Sequence, residues 1–245
     1  MNAVYHLHGD LSQLLRHRWR ERQPIVAPVT RVASIKDMLE SFGLPHTEID
    51  RIACNGRTIN FSHRVEAGQQ FDIYPIPSPW DLTTPTLLRP DPLQSLRFIV
   101  DVNVGRLARY LRMAGFDTRY DSSWDDRRIL REIAADRSIL LTRNLDLLKR
   151  NQVEFGRYIR ATEPVSQLRE MLMLLGRVML PKTLSRCLEC NALLLPVSKQ
   201  AILHRLEPLT IQYFETFSRC PRCDKIYWAG SHVDRMQQSL QAALG

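Results

Sequence analysis

Phe98-Ile99-Val100-Asp101 and Ile139-Leu140-Leu141-Thr142-Arg143-Asn144-Leu145-Asp146 are the two stretches on which the fold of this chain turns. Each is a short aliphatic run that ends on polar or acidic side chains. Runs of this kind, bounded by polar turns, read as strands buried on both faces, the mark of a parallel sheet sandwiched by helices. In an open α/β sheet the ligand crevice lies beyond the carboxyl ends of the strands. Asp101 and the turn from Thr142 to Asp146 are therefore expected to border one cleft.

Between these runs, residues 104–113 place Val104, Leu107, Ala108 and Leu111 on one helical face, with Arg106, Arg109 and Arg112 recurring at three-residue spacing on another. Gly115 ends that helix and residues 116–120 form a short strand. Asp121-Ser122-Ser123-Trp124-Asp125-Asp126 then brings three more carboxylates to the start of a helix through Ile129 and Ile133. A helix N-terminus favours negative charge, which accounts for acids there. Carboxylates crowded into one cleft repel unless a hard cation such as Mg²⁺ or Mn²⁺ sits among them. The expected α/β unit spans 96–180 and closes with an amphipathic helix from Val165 to Leu175.

Upstream, residues 1–77 read as strand, strand, helix, strand, strand, strand. The strands are Val4–Leu7, Ile25–Val29, Ile49–Cys54, Thr58–Phe61 and Gln70–Tyr74, and the helix runs from Ser34 to Phe42. Ser34 and Asp37 stand at capping-box positions and Gly43 follows the helix end. Asn55-Gly56 between apolar stretches is a strong hairpin signal. This order is that of an α+β β-grasp domain. It resembles the small sulfur-carrier and ubiquitin-like proteins through Asn55-Gly56-Arg57 and residues 65–75, but the chain continues past Pro75 without a free Gly-Gly tail, so carrier chemistry is not expected. Six prolines between Pro75 and Pro92 predict an extended, semi-rigid linker over 78–95.

Downstream, within 181–245, Cys187-x-x-Cys190 and Cys220-x-x-Cys223 are two paired turns of the kind that hold one tetrahedral Zn²⁺, as in a zinc ribbon. Four thiolates would close the coordination sphere, which makes the ion structural. His204 and His232 are possible substitutes for a cysteine. Cys54 stands alone. Arg186, Arg219, Arg222 and Lys225 beside the knuckles, with Tyr227 and Trp228 nearby, can grip nucleic acid through phosphate contacts and stacking, or merely complete a small ribbon.

The net charge of +8 is unevenly spread. Residues 1–96 carry ten basic and ten acidic side chains, residues 97–180 sixteen and eleven, and residues 181–245 eight and five. The surplus lies in the last two segments, as expected if a polyanion is held there. Arginine supplies 29 of the 34 basic side chains, and its planar fork suits bidentate phosphate contacts. No apolar run is long enough to cross a bilayer and no export signal opens the chain, so a cytoplasmic protein is expected.

The series from Phe98 to Arg112, then Gly115-Phe116-Asp117-Thr118, Asp125-Asp126, and Ile139 to Leu148 strongly resembles the Mut7-C family. Its members look like a PIN-type ribonuclease domain with a zinc ribbon, and many bacterial members carry an N-terminal ubiquitin-like domain. The resemblance covers nearly the whole chain. It implies divalent-metal-dependent cleavage of structured RNA, with Asp101 as the central Mg²⁺ or Mn²⁺ ligand, Asp125 or Asp126 as a second, and Asp146 as a third or outer group. Arg106, Arg109, Arg112, Arg143 and Arg222 are the expected RNA contacts, and Thr142 is expected to orient the turn or a water. The family turn commonly reads Thr-Arg-Asp-x-Asp, whereas here Asn144 places an amide at a position where the resemblance implies a ligand. The rival expectation is a non-catalytic RNA-binding protein, working on ribosomal or transfer RNA, that keeps a degenerate PIN-like fold. A protein partner of the β-grasp domain is also expected, and no membrane.

Overall fold

The computed structural model describes residues 1–176, 181, 183–228 and 230. His232 lies outside them. In the N-terminal unit, strands β1 (Asn2–Leu7), β2 (Ile25–Pro28), β3 (Ile49–Cys54), β4 (Arg57–Ile59) and β5 (Gln70–Pro75) form one mixed sheet in the order β2-β1-β5-β3-β4. The parallel β1·β5 pair at its centre, flanked by antiparallel neighbours, is the arrangement expected of a β-grasp fold. A short helix, α1 (His17–Arg20), follows β1, and α2 (Ile35–Phe42) crosses the sheet. Ser34 and Asp37 form the reciprocal cap of α2, and Gly43 ends it at φ 111. A side chain at 43 would be strained at that φ and would also meet the Arg16 backbone nitrogen, 2.6 Å from a built Cβ. Ile35, Leu39 and Phe42 of α2 bury against Tyr5, Ile52, Phe71 and Ile73 of the sheet.

The second sheet is wholly parallel. Strands β6 (Arg97–Val100), β7 (Asp117–Arg119), β8 (Ile139–Thr142) and β9 (Gly156–Tyr158) run in the order β7-β6-β8-β9. Strand alternation divides the aliphatic runs between two layers. Phe98, Val100, Ile139 and Leu141 face α3 (Gly105–Met113) and α6 (Pro164–Leu175), while Ile99 and Leu140 face α4 (Asp126–Asp136) and α5 (Leu145–Leu148). This is why the two runs carry no polar residue: both of their faces are covered.

The last unit holds α7 (Lys199–Ile202), α8 (Pro208–Tyr213) and a three-stranded antiparallel sheet of β10 (Leu195–Val197), β11 (Phe217–Arg219) and β12 (Ile226–Trp228). Leu188 joins the core of the parallel-sheet unit, so the first cysteine turn is fastened to that unit.

The proline-rich segment departs from the expected extended spacer. Trp80 and Leu82 bury in the core on the α6 side, and Leu88 buries in the β-grasp core. Arg89 donates to the carbonyls of Ile49 and Thr47 at 2.8 and 3.1 Å, and burial brings its pKa down to about 10. Apolar residues spaced between the prolines turn the segment into a strap across both units.

The two units are also pinned directly. Glu48, fully buried, accepts from Arg157 Nη1 at 2.8 Å, Arg160 Nη2 at 3.1 Å and the Tyr158 backbone N–H at 2.5 Å. Asp10 pairs with Arg160 at 2.7 Å, and His46 Nε2 donates to the Val153 carbonyl at 2.8 Å. A buried carboxylate needs this degree of satisfaction, because an uncompensated one costs several kcal/mol. The β-grasp unit is therefore held in a fixed orientation beside β9.

Candidate functional site

Asp101 stands where β6 ends. Its backbone N–H still bonds the Leu141 carbonyl at 3.0 Å, and the chain then turns away through residues 102–104. The carboxylate is 4% exposed and held from three sides. Oδ1 accepts from the Val102 N–H at 2.6 Å, and Oδ2 accepts from Asn103 Nδ2 at 2.5 Å and from Thr142 Oγ1 at 2.6 Å. Thr142, at the end of the adjacent β8, accepts in turn from the Asn144 N–H at 2.9 Å. Asn103 Oδ1 accepts from the Arg143 N–H at 2.9 Å. One network thus ties together the carboxyl ends of the two central strands. Asn103, a bridging group between them, was signalled only by its place two residues after Asp101.

The other acids lie elsewhere in this network's surroundings. Asp125 caps α4 by accepting from the Arg128 N–H at 2.7 Å, and Asp126 is exposed in the first turn of that helix. Asn144 caps α5, its Oδ1 accepting from the N–H groups of Asp146 and Leu147 at 3.0 and 3.2 Å. Asp146 is exposed and pairs with Lys149 at 2.9 Å. The hydrogen bond from Lys149 and its charge, followed by the charges of Arg16 and Arg150, hold the Asp146 carboxyl below the usual range. Among the described residues, the four cysteines alone bring three or more His, Cys, Asp or Glu ligand atoms within 4.8 Å of one another. The expected convergence of Asp101, Asp126 and Asp146 is thus not present as a preformed cage. Local capping accounts for Asp125 and Asn144, since a side-chain oxygen at a helix start is drawn to the unpaired N–H groups there.

A single fixed carboxylate still suits one mode of Mg²⁺ or Mn²⁺ binding. Mg²⁺ is commonly held by one or two carboxylates, with water and substrate phosphates completing its shell. Asp101 Oδ1 accepts one hydrogen bond and keeps a second lone pair, on a side chain that is 4% exposed. The residues fit that looser site and not a closed one.

The expected RNA contacts divide in the same way. Arg106 and Arg109 are exposed on α3, and Arg222 is exposed on the second cysteine turn. Arg112 is 4% exposed and corrects the expectation: it donates to the carbonyls of Thr118, Leu188 and Glu189 at 2.8, 3.0 and 2.7 Å, holding the first cysteine turn against α3. The reason is angular, because steps of three residues drift by about 60° around a helix and two steps carry the side chain about 120° away from Arg106. Arg143 Nη1 donates to the carbonyls of Ile159, Arg160 and Ala161 at 3.0, 2.8 and 3.0 Å, so this nitrogen organises the loop after β9.

Three surface depressions meet at Tyr120. One, of about 590 Å³, runs to Arg222 and Cys223. The second passes Arg109 and Glu189. The third reaches Asn103, beside Asp101.

The cysteine cluster pairs Cys187 with Cys223 at 3.4 Å and Cys190 with Cys220 at 3.3 Å, sulfur to sulfur. These spacings suit four thiolates around one ion at Zn–S distances near 2.3 Å. For Cys187 burial opposes ionisation, yet hydrogen bonds from the Tyr227 hydroxyl and the backbone bring its pKa down to about 6, while burial pushes Cys223 up to about 12. Four crowded sulfurs cannot all ionise alone, and a bound cation removes that conflict. The cluster can therefore hold a metal such as zinc.

No helix among the described residues is long and apolar enough to cross a membrane. A family model described as the Mut7-C RNAse domain matches residues 96–240, and one described as Mut7-C ubiquitin matches residues 1–81. No curated protein and no solved structure matches the chain.

Proposed function

This chain belongs to the Mut7-C RNAse domain family, and from that premise we propose that it is a divalent-metal-dependent ribonuclease acting on structured RNA at the crevice beyond β6 and β8. The observation that carries the reading is the Asp101 network: a recessed carboxylate held at 2.6 Å by Thr142 and at 2.5 Å by Asn103, at the position where open α/β sheets bind ligands. Asp101 is the residue that would hold Mg²⁺ or Mn²⁺, with Asp126 and Asp146 as acids that join it only if RNA draws them in. A divalent ion there supplies charge stabilisation at the phosphate and a more acidic water. The protein's own part is positional. Thr142 and Asn103 fix the Asp101 carboxylate, and Arg106 and Arg109 attract the phosphate backbone toward it.

The four cysteines are assigned one structural zinc in a ribbon that anchors to α3 through Arg112. Arg222 extends the basic surface to that ribbon, and we place the protein in the cytoplasm.

A specific observation favours a second reading. Asn144 is spent as a helix cap and the acids are not gathered, which is what a non-catalytic RNA-binding relative would show. The two readings separate on one assay: labelled RNA incubated with wild type and Asp101→Asn, with and without Mn²⁺. Metal-dependent cleavage lost in the variant supports the nuclease, and tight binding with no cleavage by either protein supports the binder.

A further inference from the structure

We propose that the arginines of α1 and its flanks, Arg16, Arg18, Arg20 and Arg22, form a second phosphate-binding surface, so that the ubiquitin-like unit grips the RNA beside the nuclease crevice. This rests on the RNA-directed reading above and extends it to a part of the chain assigned only to protein contacts.

The near-neutral charge of residues 1–96 hides this feature. Within Arg16-His17-Arg18-Trp19-Arg20-Glu21-Arg22, four arginines meet one acid, and all seven residues except Trp19 are exposed. Their balance comes from acids located in other parts of the unit. The segment is anchored from beneath by buried Leu11, Leu14 and Leu15, and Arg20 Nε donates to the Leu15 carbonyl at 2.8 Å. Trp19 is partly buried against the β-grasp core, with the Arg18 and Arg22 guanidinium groups 5.3 and 6.0 Å from its ring centroid. Guanidinium groups gathered about an aromatic platform supply forked donors and a stacking face together.

Location separates this cluster from an ordinary solvated charge run. Leu145, the first residue of α5, packs against the same β-grasp core as Trp19. The patch therefore belongs to the unit on which α5, the helix that follows the carboxyl end of β8, is seated, and the charge of Arg16 helps hold Asp146 of that helix below the usual carboxylate range. Its position is also fixed, by the Glu48 contacts to Arg157, Arg160 and Tyr158, the Asp10–Arg160 pair and the Lys36–Asn151 hydrogen bond. The lock holds the patch at a constant distance from the crevice, so that one polyanion can meet both without an ordering cost.

The test is RNA binding by full-length protein in buffer without added divalent ions, read by anisotropy of a fluorescein-labelled 30-nucleotide hairpin with single-stranded tails. Arg18→Glu is compared with Arg57→Glu, an equal charge change on β4, the opposite edge of the sheet from β2. Arg18→Gln serves as a milder second variant, and unchanged thermal melts verify folding. Arg18→Glu is expected to weaken binding severalfold, and Arg18→Gln to lower the salt slope by about 1, while Arg57→Glu stays within twofold of wild type. Equal losses for Arg18→Glu and Arg57→Glu, or no loss in either, overturn the patch and leave the crevice reading intact. An acidic peptide, poly-glutamate, bound through Arg18 while RNA binding ignores that residue, overturns it in favour of a protein partner. Failure of the wild type to bind RNA overturns the patch and the RNA-directed reading alike.

Discussion

Thr142 Oγ1 donates a 2.6 Å hydrogen bond to Asp101 Oδ2 across the ends of two adjacent parallel strands, and both residues are buried. Replacing Thr142 by Val keeps the shape and removes the donor, leaving a buried carboxylate partly unsatisfied. Such a loss costs about 1–3 kcal/mol. Urea unfolding of Thr142→Val should show a drop of that size, with cleavage reduced at least tenfold if one bond's worth of positioning is lost. Thr142→Ser, which keeps the hydroxyl, should recover most of both.

Asn144 offers a test in the opposite direction. Aspartate caps a helix as well as asparagine and suits the positive N-terminal end of α5, so Asn144→Asp should leave stability within about 0.5 kcal/mol of wild type. It should raise Mn²⁺ affinity severalfold in isothermal titration, because it restores a carboxylate beside Asp146. Asn144→Ala should instead lose about 1 kcal/mol in denaturant unfolding.

The C-terminal sheet has three strands of three residues each, too little to bury a core of its own. One equivalent of zinc should accompany the purified protein by mass spectrometry. Cys220→Ser should lose it and show an earlier melting step, with the parallel-sheet unit melting separately. A full complement of zinc in that variant would contradict the four-cysteine assignment.

Glu48 joins the first two units by accepting from Arg157, Arg160 and the Tyr158 N–H. Removing one partner of a buried ion network is strongly destabilising, about 3–5 kcal/mol. Glu48→Ala should show that loss in chemical unfolding, together with faster proteolysis between the units. Loss of stability within 1 kcal/mol would mean the units are held chiefly by the strap through Trp80 and Leu88.

Much of the fold is legible in the residues, and the reasons are physical. The runs at 98–100 and 139–141 admit no polar residue because helices cover both faces, so their pattern marks central parallel strands. Ser34, Asp37 and Gly43 announce α2 at both ends. By contrast, α1, α7 and α8 are too short to show a helical period. The proline-rich segment misleads because proline density conceals the four spaced apolar anchors that bury it, Trp80, Leu82, Leu88 and Leu93.

The site is legible at Asp101 and Thr142, whose strand-end positions are set by backbone pairing. It is less so at Asp125, Asn144 and Asp146. There the same residue types serve equally as helix caps and surface pairs, and only the relative placement of α4 and α5 decides between the uses. The basic run at 16–22 escapes a segment-wide charge sum because distant acids cancel it.

The most direct measurement of the central claim is a cleavage time course on a defined hairpin RNA with wild type and Asp101→Asn, each with Mn²⁺ and with no added metal. Wild type should cut only with Mn²⁺, and Asp101→Asn should be slowed at least about 100-fold, some 2.7 kcal/mol of barrier, while binding the RNA as well or better. Equal cleavage by the two proteins would contradict the assignment of Asp101 as the centre of the site.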